Sequence, residues 1–298
     1  MVNIFTTTVR TFRRLFHLLK TLVALLFFAI WLTIRDIYYV TANLFLPRCK
    51  VGSVVPSDQP GHGGVWPQFQ APIQATDSRS PCPALNALAN HDVLPRNGKH
   101  ISYKQISHAI QHAYNLAPSL ADQLTASAYQ LDQGRGWIDL QDLSALNVIQ
   151  HDASFTRPDI AFCPDQSVPH SDLVDRFLSH ASNDKFLSLD DIVYFSGLRR
   201  AESKRSNGQY SMTWSFLHKF FGSGNNALMH SIFGRDVEDL RVWLAEERFP
   251  DHWEPRNREA RGHTIMQAMS KTLIIELNIN EKQKLRSENT AMNETREP

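Results

Sequence analysis

The sequence is poor in cysteine, and its charge has almost no excess of either sign. Three cysteines, Cys49, Cys82 and Cys163, occur in 298 residues without short-range pairing, so a disulfide scaffold is excluded. Lys and Arg (31) nearly balance Asp and Glu (30), so no global field would recruit nucleic acid. We therefore expect no nucleic-acid partner, and each cysteine has to be judged by its neighbours.

The sequence also lacks the usual signature of a zinc hydrolase. His108 and His112 have a spacing that places two imidazoles on one helix face, but the glutamate of the HExxH arrangement is absent. A metallohydrolase built from scattered histidines is an alternative that this spacing alone supports. A polar helix face explains the pair more simply.

One long apolar segment lies near the N-terminus. Residues 21–34 carry no charge, and extension back to Leu15 gives about twenty residues, enough to cross a bilayer. Basic residues precede this run, so the positive-inside rule places the N-terminus in the cytoplasm and the remainder in a lumen or outside the cell. A single-pass signal anchor is predicted. The alternatives are an interfacial helix and, less well matched because no small-x-small site follows, a cleaved signal peptide.

Helical periodicity dominates the rest of the chain. Apolar residues recur at helical spacing in several segments, and Ser102 and Gln105 have capping-box spacing. These patterns predict an all-α fold with one mostly helical domain. The predicted organisation is a cytoplasmic N-terminus (1–14), a transmembrane or signal-anchor segment (15–46), a Pro- and Gly-rich connector (47–78), the helical domain (79–279) and a disordered polar tail (280–298).

The most informative motif surrounds Cys82. Residues 79–98 read RSPCPALNALANHDVLPRNG. Pro83 suits the first position of a helix, so Cys82 falls at or beside the N-cap of a short helix. The helix dipole and its free amides favour a thiolate, so we expect a lowered pKa for Cys82 and a sulfur suited to binding iron.

This motif resembles the proximal segment of the fungal heme-thiolate peroxidases, the family of chloroperoxidase and the unspecific peroxygenases. The matching residues are Pro81-Cys82-Pro83, Leu85, Asn86, Leu88, Ala89, Asn90, His91, Leu94, Pro95, Arg96, Asn97 and Gly98, with Asp92 in place of the usual glycine. The resemblance covers roughly residues 60 to 250. It implies a chloroperoxidase-type domain that binds heme b, with Cys82 as the proximal iron ligand. Pro81, Pro83, Asn86 and Ala89 would lie beside the cofactor.

A second segment, residues 150–159, resembles the family's Glu-His-Asp motif with its trailing Ala-Ser and Arg-x-Asp. In the family this motif holds a divalent cation, commonly magnesium, beside a heme propionate. The resemblance therefore implies a metal site at Gln150, His151 and Ser154. Gln150 replaces the glutamate and removes a negative charge, which leaves two alternatives. Either Gln150 and Ser154 coordinate the ion weakly, or a hydrogen bond from the amide to the propionate replaces the ion.

A third segment resembles the family's distal helix, in which an arginine or histidine is followed seven positions later by a catalytic glutamate. Here His218 is followed at that spacing by Asn225, and two helical turns place both on one face. The resemblance implies that His218 and Asn225 lie above the heme. An amide cannot carry the peroxide proton, so His218 is the predicted proton-transfer group.

Two functions follow from this resemblance. The first is a peroxidase or peroxygenase that uses hydrogen peroxide to oxidise or oxygenate a small organic substrate, such as a specialised metabolite delivered along the membrane. The second is a degenerate, non-catalytic, membrane-anchored heme-binding protein, since Gln150 and Asn225 both replace functional carboxylates.

Overall fold

A computed structural model describes residues 4–146, 148–210 and 216–282. The predicted, mostly helical character is confirmed. Most of the predicted polar tail and part of the predicted helical segment 211–221 lie outside the described residues.

Nine α-helices make up about half of the described residues. In chain order they are α1 (Ile4–Phe45), α2 (Pro83–Asn90), α3 (Tyr103–Tyr114), α4 (Pro118–Ala126), α5 (Ser171–Leu178), α6 (Leu189–Ser206), α7 (Phe216–Ile232), α8 (Val237–Arg241) and α9 (Ile265–Asn278). A π-helical turn, Val242–Glu246, extends α8. Strands β1 (Ile101–Ser102) and β2 (Trp137–Ile138) form a small antiparallel sheet with Ile101 opposite Ile138.

Local capping interactions determine where several helices begin. Ser102 Oγ accepts the amide of Gln105 at 3.3 Å, and Gln105 Oε1 accepts the amide of Ser102 at 2.9 Å, which confirms the predicted capping box of α3. Thr264 and Gln267 repeat the arrangement at α9. These caps satisfy backbone amides that a helix N-terminus otherwise leaves without partners.

Helix α1 is long, and most of it stands clear of the domain. Its stretch Leu18–Phe45 is long and apolar enough to cross a membrane, a property that signal sequences share, and almost all of it is exposed. The last part of α1 instead contacts α4 and α9. Leu32 and Asp36 are buried there, so this part of α1 packs against the domain.

An aromatic core supports the domain. Trp243 and Phe233 stack with ring centroids 4.1 Å apart, and Trp253 and Phe249 pack around them. Tyr114 of α3 closes this cluster and donates its hydroxyl to the carbonyl of Ala84 at 2.7 Å. The core therefore anchors α2 against α3 beside the residue that begins α2.

Candidate functional site

A largely apolar cavity of about 300 Å³ lies inside the domain. Helix α3 contributes Ile106, Ile110 and Tyr114 to its lining, and α7 contributes Met229 and Ile232. The polar lining is concentrated in a few side chains: Cys82, Gln150, His151, Ser154, Ser196, Arg200, Asn225 and Asn226, with the hydroxyls of Thr125, Ser127 and Thr156. Cys82 thus shares one cavity with Gln150, His151 and Ser154 of the second motif and with Asn225 of the third.

Cys82 is the N-cap residue of α2, as the sequence predicts. Pro83 occupies the first helical turn, and the Cys82 thiol is free and lines the cavity. Pro81 and Pro83 line it too. Asn86 and Ala89 are completely buried and do not belong to the cavity lining.

The pKa of Cys82 differs from the expectation. Burial raises the pKa of the thiol, and the backbone amides of Ala84 and Leu85 and the guanidinium of Arg157 oppose this rise without overcoming it. The expected net lowering is therefore wrong for the protein alone, because desolvation in an apolar site outweighs the helix N-terminus. A positive metal ion at the sulfur would restore the thiolate.

Hydrogen bonds fix the backbone on which Cys82 sits. Ser80 Oγ accepts the amide of Cys82 at 3.1 Å, and Asn86 Oδ1 accepts the amide of Ser80 at 2.9 Å. Asn86 Nδ2 then donates to Glu247 Oε2 at 2.8 Å. Asn86 therefore acts by positioning the Cys82 loop instead of touching the cavity.

A buried ion pair lies beneath this loop. Arg157 is fully buried and contacts Glu247 Oε1 at 2.5 Å, and it also donates to the carbonyl of Ser80 at 3.2 Å. Burial raises the pKa of Glu247, and Arg157 opposes that shift. The sequence predicts no role for Glu247, because nothing nearby distinguishes it from the exposed Glu246.

His151 lies in the loop 150–159, whose backbone is held by several side-chain hydrogen bonds. Asp152 accepts the amide of Ile160 at 3.2 Å, and Asp159 accepts the amide of Ala153 at 3.0 Å. Asn207 Nδ2 lies within hydrogen-bond distance of both carboxylates. Ala153 adopts a positive φ of 62°, which loop closure imposes on a residue that rarely adopts it.

His151 pairs with Asn225 at the cavity. The Nδ1 of His151 lies 2.8 Å from the carbonyl of Asp152, and its Nε2 lies 3.2 Å from Nδ2 of Asn225. A carbonyl accepts and an amide nitrogen donates, so this pattern fits a neutral ring with its proton on Nδ1. Burial lowers the pKa of His151, which also favours the neutral form.

His218 lies close enough to His151 for its charge to contribute to the lowered pKa of that ring. It lies two turns before Asn225 on α7, as the spacing predicts, but it does not line the cavity. The cavity-facing stripe of α7 begins at Gly222, one turn later. The imidazole beside Asn225 is therefore that of His151, from a segment 74 positions earlier.

The predicted cation ligands line the cavity without forming a set that suits magnesium. Gln150 Nε2 donates to Gln166 Oε1 at 2.6 Å, and Ser154 Oγ accepts the amide of Thr156 at 3.2 Å. Both ring nitrogens of His151 already have hydrogen-bond partners, the carbonyl of Asp152 and the side-chain amide of Asn225. Among the described residues no group of three or more His, Cys, Asp or Glu side chains could hold a metal ion. Since magnesium prefers carboxylate oxygens, these residues do not fit it.

The donor chemistry of the cavity does fit a heme. A free cysteine at a helix N-terminus can supply a thiolate to iron, and apolar walls suit the porphyrin face. The imidazole of His151 and the amide of Asn225 supply polar groups on the same lining. These features are the ones expected of a heme-thiolate protein.

Comparison with known proteins identifies the family. The sequence model of "Peroxidase, family 2" matches residues 67–258. The chain belongs to this family, the fungal heme-thiolate chloroperoxidases and peroxygenases.

Three relatives illustrate the similarity. The chain is 36% identical to a chloroperoxidase of Leptoxyphium fumago over 91 residues, 28% of this chain and 24% of that protein. It is 26% identical to an aromatic peroxygenase of Coprinellus radians over 220 residues, 63% of this chain and 83% of that protein. It is 47% identical to a dothistromin biosynthesis peroxidase of Dothistroma septosporum over 57 residues, 19% of this chain and 13% of that protein. The matches to the first and third relatives thus span less than a quarter of their lengths.

Proposed function

We propose that this protein is a heme-thiolate peroxidase or peroxygenase in which Cys82 is the proximal ligand of heme b and hydrogen peroxide oxidises a small organic substrate. The observation that carries the proposal is the free Cys82 thiol at the N-cap of α2 on the cavity lining. When bound, the heme supplies the oxidation chemistry, and its thiolate ligand favours cleavage of the peroxide O–O bond.

We assign proton transfer to His151 in preference to His218. The geometry that supports this choice is the unprotonated Nε2 of His151 beside Asn225 on the cavity lining. This nitrogen can take a proton from peroxide, whereas the amide of Asn225 can only donate a hydrogen bond and orient the ring.

The proximal residues hold the ligand in place. Ser80 and Asn86 fix the backbone amide of Cys82, and Arg157 places a positive charge beneath the loop. Hydrogen bonds and nearby charge of this kind adjust the electron donation of an iron-bound sulfur. No step requires a magnesium ion.

The substrate we propose is an apolar small molecule. Ile106, Ile110, Met229 and other apolar side chains form most of the cavity surface, so polar substrates would lose hydration without gaining partners. The similarity to a dothistromin biosynthesis peroxidase supports a substrate from specialised metabolism.

We propose that α1 is retained as a membrane anchor, with the domain on the lumenal or extracellular side. Asp36 is buried and accepts from Ser119 Oγ at 2.6 Å, and Asn43 Nδ2 donates to the carbonyl of Gly262 at 3.0 Å. Cleavage after the apolar run would remove polar contacts that the domain uses.

The test is peroxide-dependent oxidation of a simple phenol and an aromatic ether by the heme-loaded full chain. Turnover that requires both heme and peroxide is expected, with Cys82→Ala as the inactive control. A protein that binds heme but turns over neither substrate would instead be the degenerate heme-binding protein that Gln150 and Asn225 suggest.

A further inference from the structure

The polarity of α9 is reversed relative to an ordinary surface helix. Beside the exposed polar residues Ser270 and Asn278, five outward side chains of α9 are large, apolar and between 42% and 79% exposed: Met266, Met269, Leu273, Ile274 and Leu277. We call these residues the outer face of α9. A surface helix normally directs its apolar stripe to the core and its charges to water, so this face is an unusual one to leave in solvent.

The charged side chains of α9 lie on its inner side. Lys271 Nζ donates to Ser231 Oγ at 2.7 Å and lies 3.1 Å from Nδ1 of His230. Glu276 forms an ion pair with Arg200 at 2.7 Å. The charges are thus used within the domain, while the outer face keeps its apolar side chains free of ionic neighbours on the same helix.

The start of α9 is joined to the helix that we propose as the anchor. Asp36 Oδ1 accepts the amide of Ile265 at 2.8 Å, and Asp36 Oδ2 accepts the amide of Met266 at 2.9 Å. Asp36 follows the uncharged run 21–34 by two positions. The first turn of α9 therefore lies where α1 would leave the hydrocarbon.

The apolar surface continues from the anchor past this junction. Ile37, Tyr38, Leu44 and Phe45 of α1 are between 51% and 83% exposed. Tyr38 lies two positions after Asp36, and tyrosine is enriched at the interface between a membrane and water. The exposed apolar surface of α1 therefore extends past the point where Asp36 joins α1 to α9, the helix that carries the second exposed apolar face.

We propose that the outer face of α9 rests on the lipid bilayer and, together with α1, fixes the orientation of the domain on the membrane. This inference rests on the proposed anchorage of α1. Large contiguous apolar surfaces mark binding to a partner or a membrane, and continuity with α1 makes the bilayer the occupant. A second copy of the chain would leave the same patch open to lipid at the junction with Asp36.

This placement has a consequence for access to the cavity. Gly224 of α7 faces Thr272 on the inner side of α9, and the next residue, Asn225, is exposed while lining the cavity. The part of the cavity beside Asn225 is thus one helix away from the bilayer. An apolar substrate dissolved in the membrane would have a short path to it.

Spin labels on the heme-loaded full chain in phosphatidylcholine–phosphatidylserine nanodiscs test the proposal. The background carries Cys49→Ser and Cys163→Ser, and labels are attached one at a time to Leu273→Cys and Leu277→Cys. Leu22→Cys reports on the anchor, and Val65→Cys, 73% exposed, is the aqueous reference. The heme absorbance of each variant shows whether it has folded. If one of the two α9 variants does not fold, the other still provides the measurement.

The measurement is collision with oxygen, which concentrates in lipid, and with a water-soluble nickel chelate. We expect the labels on α9 and at Leu22 to favour oxygen and the label at Val65 to favour nickel. If Leu22 favours oxygen while both α9 labels behave like Val65, the anchor stands and the α9 proposal is overturned. If Leu22 also favours nickel, the anchor itself is wrong. Spin–spin broadening at Leu273 that disappears on dilution with unlabelled protein would identify a second copy as the occupant and overturn the proposal.

Discussion

At the scale of single residues, His151 is the group whose loss should matter most for peroxide chemistry. We expect His151→Ala to slow the reaction of the heme-loaded protein with peroxide by roughly two to four orders of magnitude, the usual contribution of a positioned acid–base group. Stopped-flow absorbance measures this rate. His108→Ala is the control, because His108 does not line the cavity, and an equal loss in both variants would contradict the assignment.

The pH dependence of that rate should follow the neutral form of His151. Burial lowers the pKa of His151 below its ordinary value of 6.5, so the unprotonated ring persists as the pH falls through that value. We expect the rate to stay level above pH 6.5 and to fall only in more acidic solution. His151→Ala should abolish this fall, and a profile unchanged by the substitution would assign it to another group.

Asn225 limits the rate for a reason that one substitution can remove. A carboxylate at this position could collect and return the peroxide proton, which an amide cannot do. We expect Asn225→Glu to raise the rate of reaction with peroxide by about tenfold or more. Asn225→Gln matches the size of glutamate without its charge and should give no such increase, so a similar gain in both would show that charge is not the cause.

The sequence identifies individual site residues to the extent that their signals are local. Cys82 could be predicted as a helix cap because Pro83 follows it directly, and the structure confirms that position. The pKa of Cys82 could not be predicted in the same way, because the desolvation of its thiol depends on residues far away in the chain. His151 and Asn225 each belong to recognisable segments, but only the fold brings them together.

At the scale of elements, the ion pair between Arg157 and Glu247 connects the 150–159 segment with the residue that follows the π-helical turn. Both partners are buried, so Glu247→Gln should leave a charged guanidinium without its counter-ion. We expect a loss of about 3–5 kcal/mol in the free energy of unfolding, measured by urea denaturation.

The neighbouring residue supplies a matched control for this prediction. Glu246 pairs with Arg248 at the surface, where its side chain is 49% exposed. Glu246→Gln should cost no more than about 1 kcal/mol, because solvent screens an exposed pair. Equal losses for the two variants would mean that the buried pair does not hold these elements together.

Helix boundaries divide into those that short-range chemistry fixes and those that packing fixes. The capping box of α3 consists of Ser102 and Gln105, which are three positions apart, so it could be predicted from the sequence. The start of α9 also has a local cap, but its amides are shared with Asp36, more than two hundred positions away. Sequence periodicity carries no information about such a contact, so the connection between α1 and α9 was not predicted.

At the scale of the whole molecule, the helical class and the apolar N-terminal segment follow from composition and periodicity, while the cavity does not. Apolar residues at helical spacing indicate which helix faces are buried, but a buried face packs equally well against a core or around a cavity. Ile106 and Ile110 fit the predicted apolar stripe of α3, yet they line the cavity. The size of that space depends on how α3, α7 and the 150–159 loop pack together.

The proposed function depends on ligation of a heme iron by the sulfur of Cys82. The ferrous carbonyl difference spectrum of the purified, detergent-solubilised protein tests this ligation most directly. We predict a Soret band at the position typical of thiolate ligation, and its loss or displacement in Cys82→Ala, with Cys163→Ala unchanged as the matched control. A protein that binds no heme, or one whose Cys82→Ala variant keeps the thiolate-type band, would contradict the account.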